Sequence, residues 1–193
     1  KSTFFFLTDF LDKDLNEPIY LSDVYVHPKL IGKSESLKEY LLSWSSGNTP
    51  VLLLCGKAGI GKTSLVSELI SKDLFNGTAH AVFLRKKVDC FDSLNPWESV
   101  KQSFNCDDDD EYADKVLILD GFDELCVLNN EFKGEEFLNK ISLDMPVGKN
   151  IHILITSREY NGYFQEVLSK RERIVVENIE WSENEMKDWC NRY

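Results

Sequence analysis

No stretch of this 193-residue sequence approaches the ~20 uninterrupted apolar residues that a membrane-spanning helix needs, so a membrane protein is not expected. The short apolar run Phe4 to Leu7 lacks the basic flank and long apolar core of a signal peptide. Cysteine is sparse: Cys55, Cys90, Cys106, Cys126 and Cys190 make an odd count with no C-x-x-C pair. That pattern excludes a disulfide framework and points to reduced thiols in a cytoplasmic protein. His27, His80 and His152 stand far apart, without the spacing of a metal-ligand set. Arginine is confined to Arg85, Arg158, Arg171, Arg173 and Arg192, too few in the middle of the chain for the arginine lid of a small-molecule kinase. Positive charge is short overall. The net charge of -11 would repel phosphate backbones, so direct nucleic-acid binding is not expected. Part of that charge is the run of acids from Asp107 to Glu111, which reads as a solvated loop.

What is present is enough apolar content, 42%, to bury a core, and an alternation of apolar runs with helical patterns. That alternation predicts parallel βαβ units. Helices are expected at Ser36 to Ser45, with Leu37, Tyr40, Leu41 and Trp44 on one face. Further helices are expected at Thr63 to Leu74 (burying Leu65, Val66, Leu69 and Ile70) and after Pro96 (Trp97, Val100 and Phe104). Two more should carry Phe137, Leu138 and Ile141, and Tyr163, Phe164, Val167 and Leu168. Strands are expected at Val51 to Cys55, Ala79 to Leu84 with extension toward Val88, Val116 to Asp120, Ile151 to Thr156, and Ile174 to Val176. Ser182 and Glu185 predict a capping box for a last helix that buries Met186, Trp189, Cys190 and Tyr193. The chain begins at Lys1 without methionine and stops inside that helix, so it is expected to be a piece of a longer protein.

Residues 56 to 63, Gly-Lys-Ala-Gly-Ile-Gly-Lys-Thr, satisfy G-x-x-x-x-G-K-[ST] between a predicted strand and a predicted helix. Gly56, Gly59 and Gly61 let the backbone turn tightly, so the N–H groups of Lys57, Ala58, Ile60 and their neighbours through Ser64 can cradle an anion. The positive end of the following helix reinforces that cradle. Lys62 is expected to reach the β- and γ-phosphates of ATP or ADP, and the Thr63 hydroxyl to ligate Mg²⁺. The carboxylate partner for the metal is Asp120, at the carboxyl end of the apolar strand 116–120. Asp123 and Glu124 follow at once; either can orient and deprotonate an attacking water. Arg158, at the end of the strand 151–156, suits contact with a γ-phosphate.

The run Leu-Ile-Leu-Asp-Gly-Phe-Asp-Glu-Leu, residues 117 to 125, resembles the extended second motif of NACHT ATPases, members of the STAND class of signal-transducing NTPases. Ile-Leu-Ile-Thr-Ser-Arg, residues 153 to 158, resembles that family's sensor strand. Residues 176 to 186 are similar to the entry into its next helical subdomain, and Leu30-Ile31-Gly32-Lys33-Ser34-Glu35 is similar to an h-h-G-R-x-E element with lysine in place of arginine. The resemblance covers roughly residues 24 to 193. It implies a three-layer α/β P-loop NTPase fold with a parallel five-stranded core sheet and an extra strand between the two motif strands, for which the strand around residue 82 is the candidate. It also implies an N-terminal extension or linker at 1–23, the NTPase domain at 24–179, and the start of a helical subdomain at 180–193. The implied function is an ATP/ADP switch with slow Mg²⁺-dependent hydrolysis and self-association, in innate defence that extends to defence against phage. A silent nucleotide-binding scaffold and a GTPase are the alternatives; no N-K-x-D or T-K-x-D base-reading motif favours the latter.

Overall fold

A computed structural model describes residues 25–158 and 173–192 of the chain. The sheet is built from β1 (Lys29–Leu30), β2 (Val51–Gly56), β3 (Ala79–Phe83), β4 (Val116–Asp120), β5 (His152–Ser157) and β6 (Ile174–Glu180), in spatial order β1-β6-β2-β5-β4-β3. All neighbours are parallel except β1, which runs antiparallel to β6. Strands β2, β4 and β5 are buried at every position, which is why they read as unbroken apolar runs.

Helices α1 (Leu37–Ser45) and α2 (Lys62–Ser71) cover one face. There Leu37, Leu41, Trp44, Leu65, Val66 and Leu69 pack on Leu52, Leu54, Ile118 and Leu154. Helices α3 (Pro96–Phe104), α4 (Phe122–Leu128) and α5 (Gly134–Asp144) cover the other. Trp97, Val100, Phe122, Leu125, Phe137, Leu138 and Ile141 meet Leu53, Leu117, Leu119, Ile153 and Ile155 there. Each fully buried leucine of these two cores contributes about 1.5–3 kcal/mol, so the three-layer sandwich is held chiefly by the alternating faces of β2, β4 and β5. Helix α6 (Glu183–Arg192) follows β6.

Several local expectations change in the folded chain. The strand lying between the two motif strands is β5, whereas the strand around residue 82 is β3, at the outer edge beyond β4. An edge strand has one neighbour, and β3 is accordingly half exposed. It ends at Phe83 rather than running on to Val88, giving way to two 3-10 turns at Leu84–Lys86 and Val88–Cys90. Ile70 is 39% exposed: it stands about 100° round the helix from Leu69, off the stripe set by Leu65, Val66 and Leu69. Met186 is likewise exposed at 45%, because the inward position of α6 belongs to Glu185, whose carboxylate accepts the Ser182 N–H at 2.9 Å and pairs with Lys29 at 2.8 Å. The Ser36–Glu39 box at the head of α1 is reciprocal, as a capping box requires. Residues 1–23, the helix expected to carry Tyr163, Phe164, Val167 and Leu168, and the side chains of Trp189, Cys190 and Tyr193 lie outside the described residues. Among the described residues no helix is long and apolar enough to cross a membrane.

Candidate functional site

β2 ends at Gly56 and α2 begins at Lys62, so residues 57–61 form the loop across the carboxyl end of the sheet. Gly59 (φ 78°) and Gly61 (φ 88°) are in the left-handed region that side chains disfavour. A Cβ on Gly56 would lie 2.9 Å from Ile179 Cγ1 and 3.0 Å from Ile60 Cγ2, so the strand end packs too closely for a larger residue. No side chain caps Gly61, which leaves the first N–H groups of α2 directed at the loop's concavity. The Lys62 ammonium donates to the Gly56 carbonyl at 2.7 Å and to the Lys57 carbonyl at 3.1 Å. Burial holds its pKa below the usual lysine value, against the opposing pull of Asp123.

Across the loop, Asp120 is 5% exposed at the end of β4. Its Oδ2 accepts the Thr63 hydroxyl at 2.8 Å and its Oδ1 accepts the Thr156 hydroxyl at 2.6 Å. Thr156 Oγ1 in turn accepts the Gly121 N–H at 3.0 Å. Asp123, 6% exposed, accepts the Arg158 backbone N–H on Oδ1 at 3.1 Å and Arg158 Nε–H on Oδ2 at 2.9 Å. Glu124 is half-buried beside Gly121, with no hydrogen-bond partner among the described residues.

These groups enclose a cavity of about 320 Å³. Ala58, Gly59, Gly61, Lys62, Thr63 and Ser64 line it from the loop side; Asp120 and Arg158 line it from the strand ends, and Asp123 and Glu124 from the first turn of α4. Gly56, Lys57 and Ile60 do not line it. Lys57 points to solvent and offers only its carbonyl, and Ile60 is half-buried under the loop. The cavity size lies within the range of small-ligand sites, about 300–1,000 Å³. Left-handed glycines open the cradle, and the Thr63–Asp120 pair offers hard oxygen donors of the kind magnesium takes, so the residues fit a magnesium-bound polyphosphate.

Two contributors carry no signal of their own in the sequence. Thr156 stands inside a strand, and its link to Asp120 follows from β4–β5 pairing that a sequence does not display. Tyr25 donates its hydroxyl to the Gly61 carbonyl at 3.3 Å, and burial, with the Glu68 charge, raises its pKa so that it stays a donor. Its proximity to the loop is likewise a tertiary fact with no local signal.

A six-stranded, mostly parallel sheet flanked by helices, with this loop between β2 and α2, is a P-loop NTPase-like α/β fold. No family model matches the chain, and no curated protein matches it in sequence. Among solved structures it is similar to that of PCH-2 from C. elegans, at 18% identity and a TM-score of 0.46, over 84% of this chain and 47% of that one. The chain thus spans about half the length of that structure.

Proposed function

We propose that the chain is an ATP/ADP-binding switch of NACHT type that hydrolyses ATP slowly with magnesium. The observation that carries this reading is the Thr63 hydroxyl placed 2.8 Å from the Asp120 carboxylate across a glycine-lined anion cradle. The loop N–H groups and the head of α2 bind the phosphates, and Lys62 Nζ neutralises charge on the β- and γ-oxygens. Thr63 and Asp120 would hold magnesium, which when bound would supply charge stabilisation at those same oxygens. Both oxygens of Asp123 are engaged by Arg158, whereas Glu124 has none of its own engaged, which favours Glu124 as the base. In this scheme a water oxygen attacks the γ-phosphorus and its proton passes to a Glu124 carboxylate oxygen. The bond from phosphorus to the bridging oxygen breaks, and ADP leaves with the electron pair. Asp123 anchors Arg158 at the cavity wall, where its guanidinium faces the γ-phosphate.

Resemblance of residues 117–125 and 153–158 to NACHT motifs supports the finer reading: nucleotide-dependent self-association of a larger signalling or defence protein, cytoplasmic, with an ADP-bound resting state. Phosphate release from ATP and from GTP, measured on wild type and Glu124→Gln, tests the proposal. The expected result is release from ATP that Glu124→Gln lowers by ~10²–10⁴-fold, the usual worth of a general base. Equal turnover of GTP would favour the GTPase reading. Nucleotide binding with no release from either triphosphate would favour the silent scaffold.

A further inference from the structure

We infer that Thr156 is a positioning residue for Asp120 and, through it, for the hydroxyl–carboxylate pair that takes the divalent cation; this rests on the nucleotide-binding reading above. Pairing of Leu119 with Ile155 sets the register of β4 against β5, so Asp120 and Thr156, the next residue on each, end up side by side. Thr156 is fully buried, 0% exposed. A hydroxyl has one proton to give, and an ionised carboxylate can only accept. The 2.6 Å contact is therefore Thr156 donating to Asp120 Oδ1, and the Thr156 lone pair takes the Gly121 N–H at 3.0 Å.

Each bond has a separate effect. Tying Oδ1 fixes the rotation of the Asp120 carboxylate, and the other oxygen is the one that meets Thr63 on α2 at 2.8 Å. Thr156 thus selects which oxygen faces the cation-binding side. Holding the Gly121 N–H pins the left-handed turn (φ 88°) from which α4 starts with Asp123 and Glu124 in its first turn. One hydroxyl therefore joins the metal carboxylate to the backbone that presents the base. The adjacent Ser157 shows that burial at this strand end does not by itself find a hydroxyl a partner: its buried Oγ has none among the described residues.

Thr156→Val keeps the shape and removes the hydroxyl, leaving Asp120 Oδ1 and the Gly121 N–H unpaired; Thr156→Ser keeps the hydroxyl. The experiment titrates magnesium into each purified protein with a fluorescent ATP analogue and reads the concentration for half-maximal binding, with analogue affinity in EDTA read in parallel. Thr156→Val is expected to raise the half-maximal magnesium concentration by ~10–100-fold, the usual effect of losing an orienting partner of a metal ligand. Affinity in EDTA should stay near wild type, and Thr156→Ser should restore the magnesium response. In an Asp120→Asn background, Thr156→Val should add no further loss of that response, since it acts through the carboxylate. Should Thr156→Val fail to fold, Thr156→Ala supplies the same comparison without added bulk. An unchanged magnesium midpoint in the hydroxyl-less variant, or a loss that Thr156→Ser does not restore, overturns the inference while leaving nucleotide binding intact. A wild type that binds no analogue at any magnesium concentration instead overturns the nucleotide reading, and this inference with it.

Discussion

Replacing Asp123 by Asn separates the link between α4 and the end of β5 from everything else in the site. Asp123 is 6% exposed and gives one oxygen to the Arg158 N–H at 3.1 Å and the other to Arg158 Nε–H at 2.9 Å. An amide has one acceptor oxygen, so in either orientation one of these donors faces an NH2 group. The donor left unpaired is part-buried at the backbone or lies on an exposed side chain, so its loss costs toward the low end of about 1–3 kcal/mol. Loss of the ion pair adds less, about 0.2–1 kcal/mol, because the Arg158 side chain is 57% exposed and the charge is screened. The expected destabilisation is about 2 kcal/mol, or about 4–8 °C in Tm for a domain of this size. Arg158→Ala should cost about half of that, since the backbone N–H still reaches Oδ1. Chemical denaturation followed by far-ultraviolet circular dichroism measures both. If Asp123→Asn lies within about 0.5 kcal/mol of wild type, or Arg158→Ala costs more than Asp123→Asn, the argument from paired acceptors is wrong.

Gly121→Ala places a side chain at φ 88°, where its Cβ meets nothing closer than Glu124 Cδ at 3.6 Å, so the cost is backbone strain alone. Strain of about 1–2 kcal/mol, less about 0.4–1 kcal/mol from a stiffer unfolded chain, predicts a fall in Tm of up to about 6 °C, and a rise would refute it. Burial raises the Glu185 carboxyl pKa, but Lys29 and Ser182 outweigh it and hold the group down from 4.5 to about 2. A lowered carboxyl pKa stabilises the fold fully above its unfolded value; this contribution is therefore lost as pH falls from 4.5 toward about 2. Thermal melts through that range should show a shallower acid limb for Glu185→Gln than for wild type; parallel limbs would contradict the Lys29–Glu185 link.

Strands β2, β4 and β5 were legible because both faces of each are buried, which leaves an apolar run bounded by polar or turn residues. The phosphate loop was legible because its glycines answer a backbone need that is local. Their spatial order was not. That β5 separates β2 from β4 depends on long-range pairing, and so does the Thr156–Asp120 bond that follows from it. β1 is two residues long, too short to carry a period, and its antiparallel partner lies about 150 residues away in sequence. Buried polar groups misled in a consistent direction. Glu68, 3% exposed on α2, and Glu185 on α6 take inward positions because His27 and Lys29 meet them, while apolar Ile70 and Met186 stay outside. A hydrophobicity pattern has no means of seeing such partners.

The most direct test of the account is calorimetric titration of ATP with magnesium into wild type and Lys62→Ala. Loss of a charged hydrogen-bonding group worth about 1.5–3 kcal/mol predicts saturable binding to wild type that weakens by about 10- to 100-fold in the variant. Equal affinity in the two proteins, or no binding to wild type, would contradict a phosphate cradle at residues 56–63.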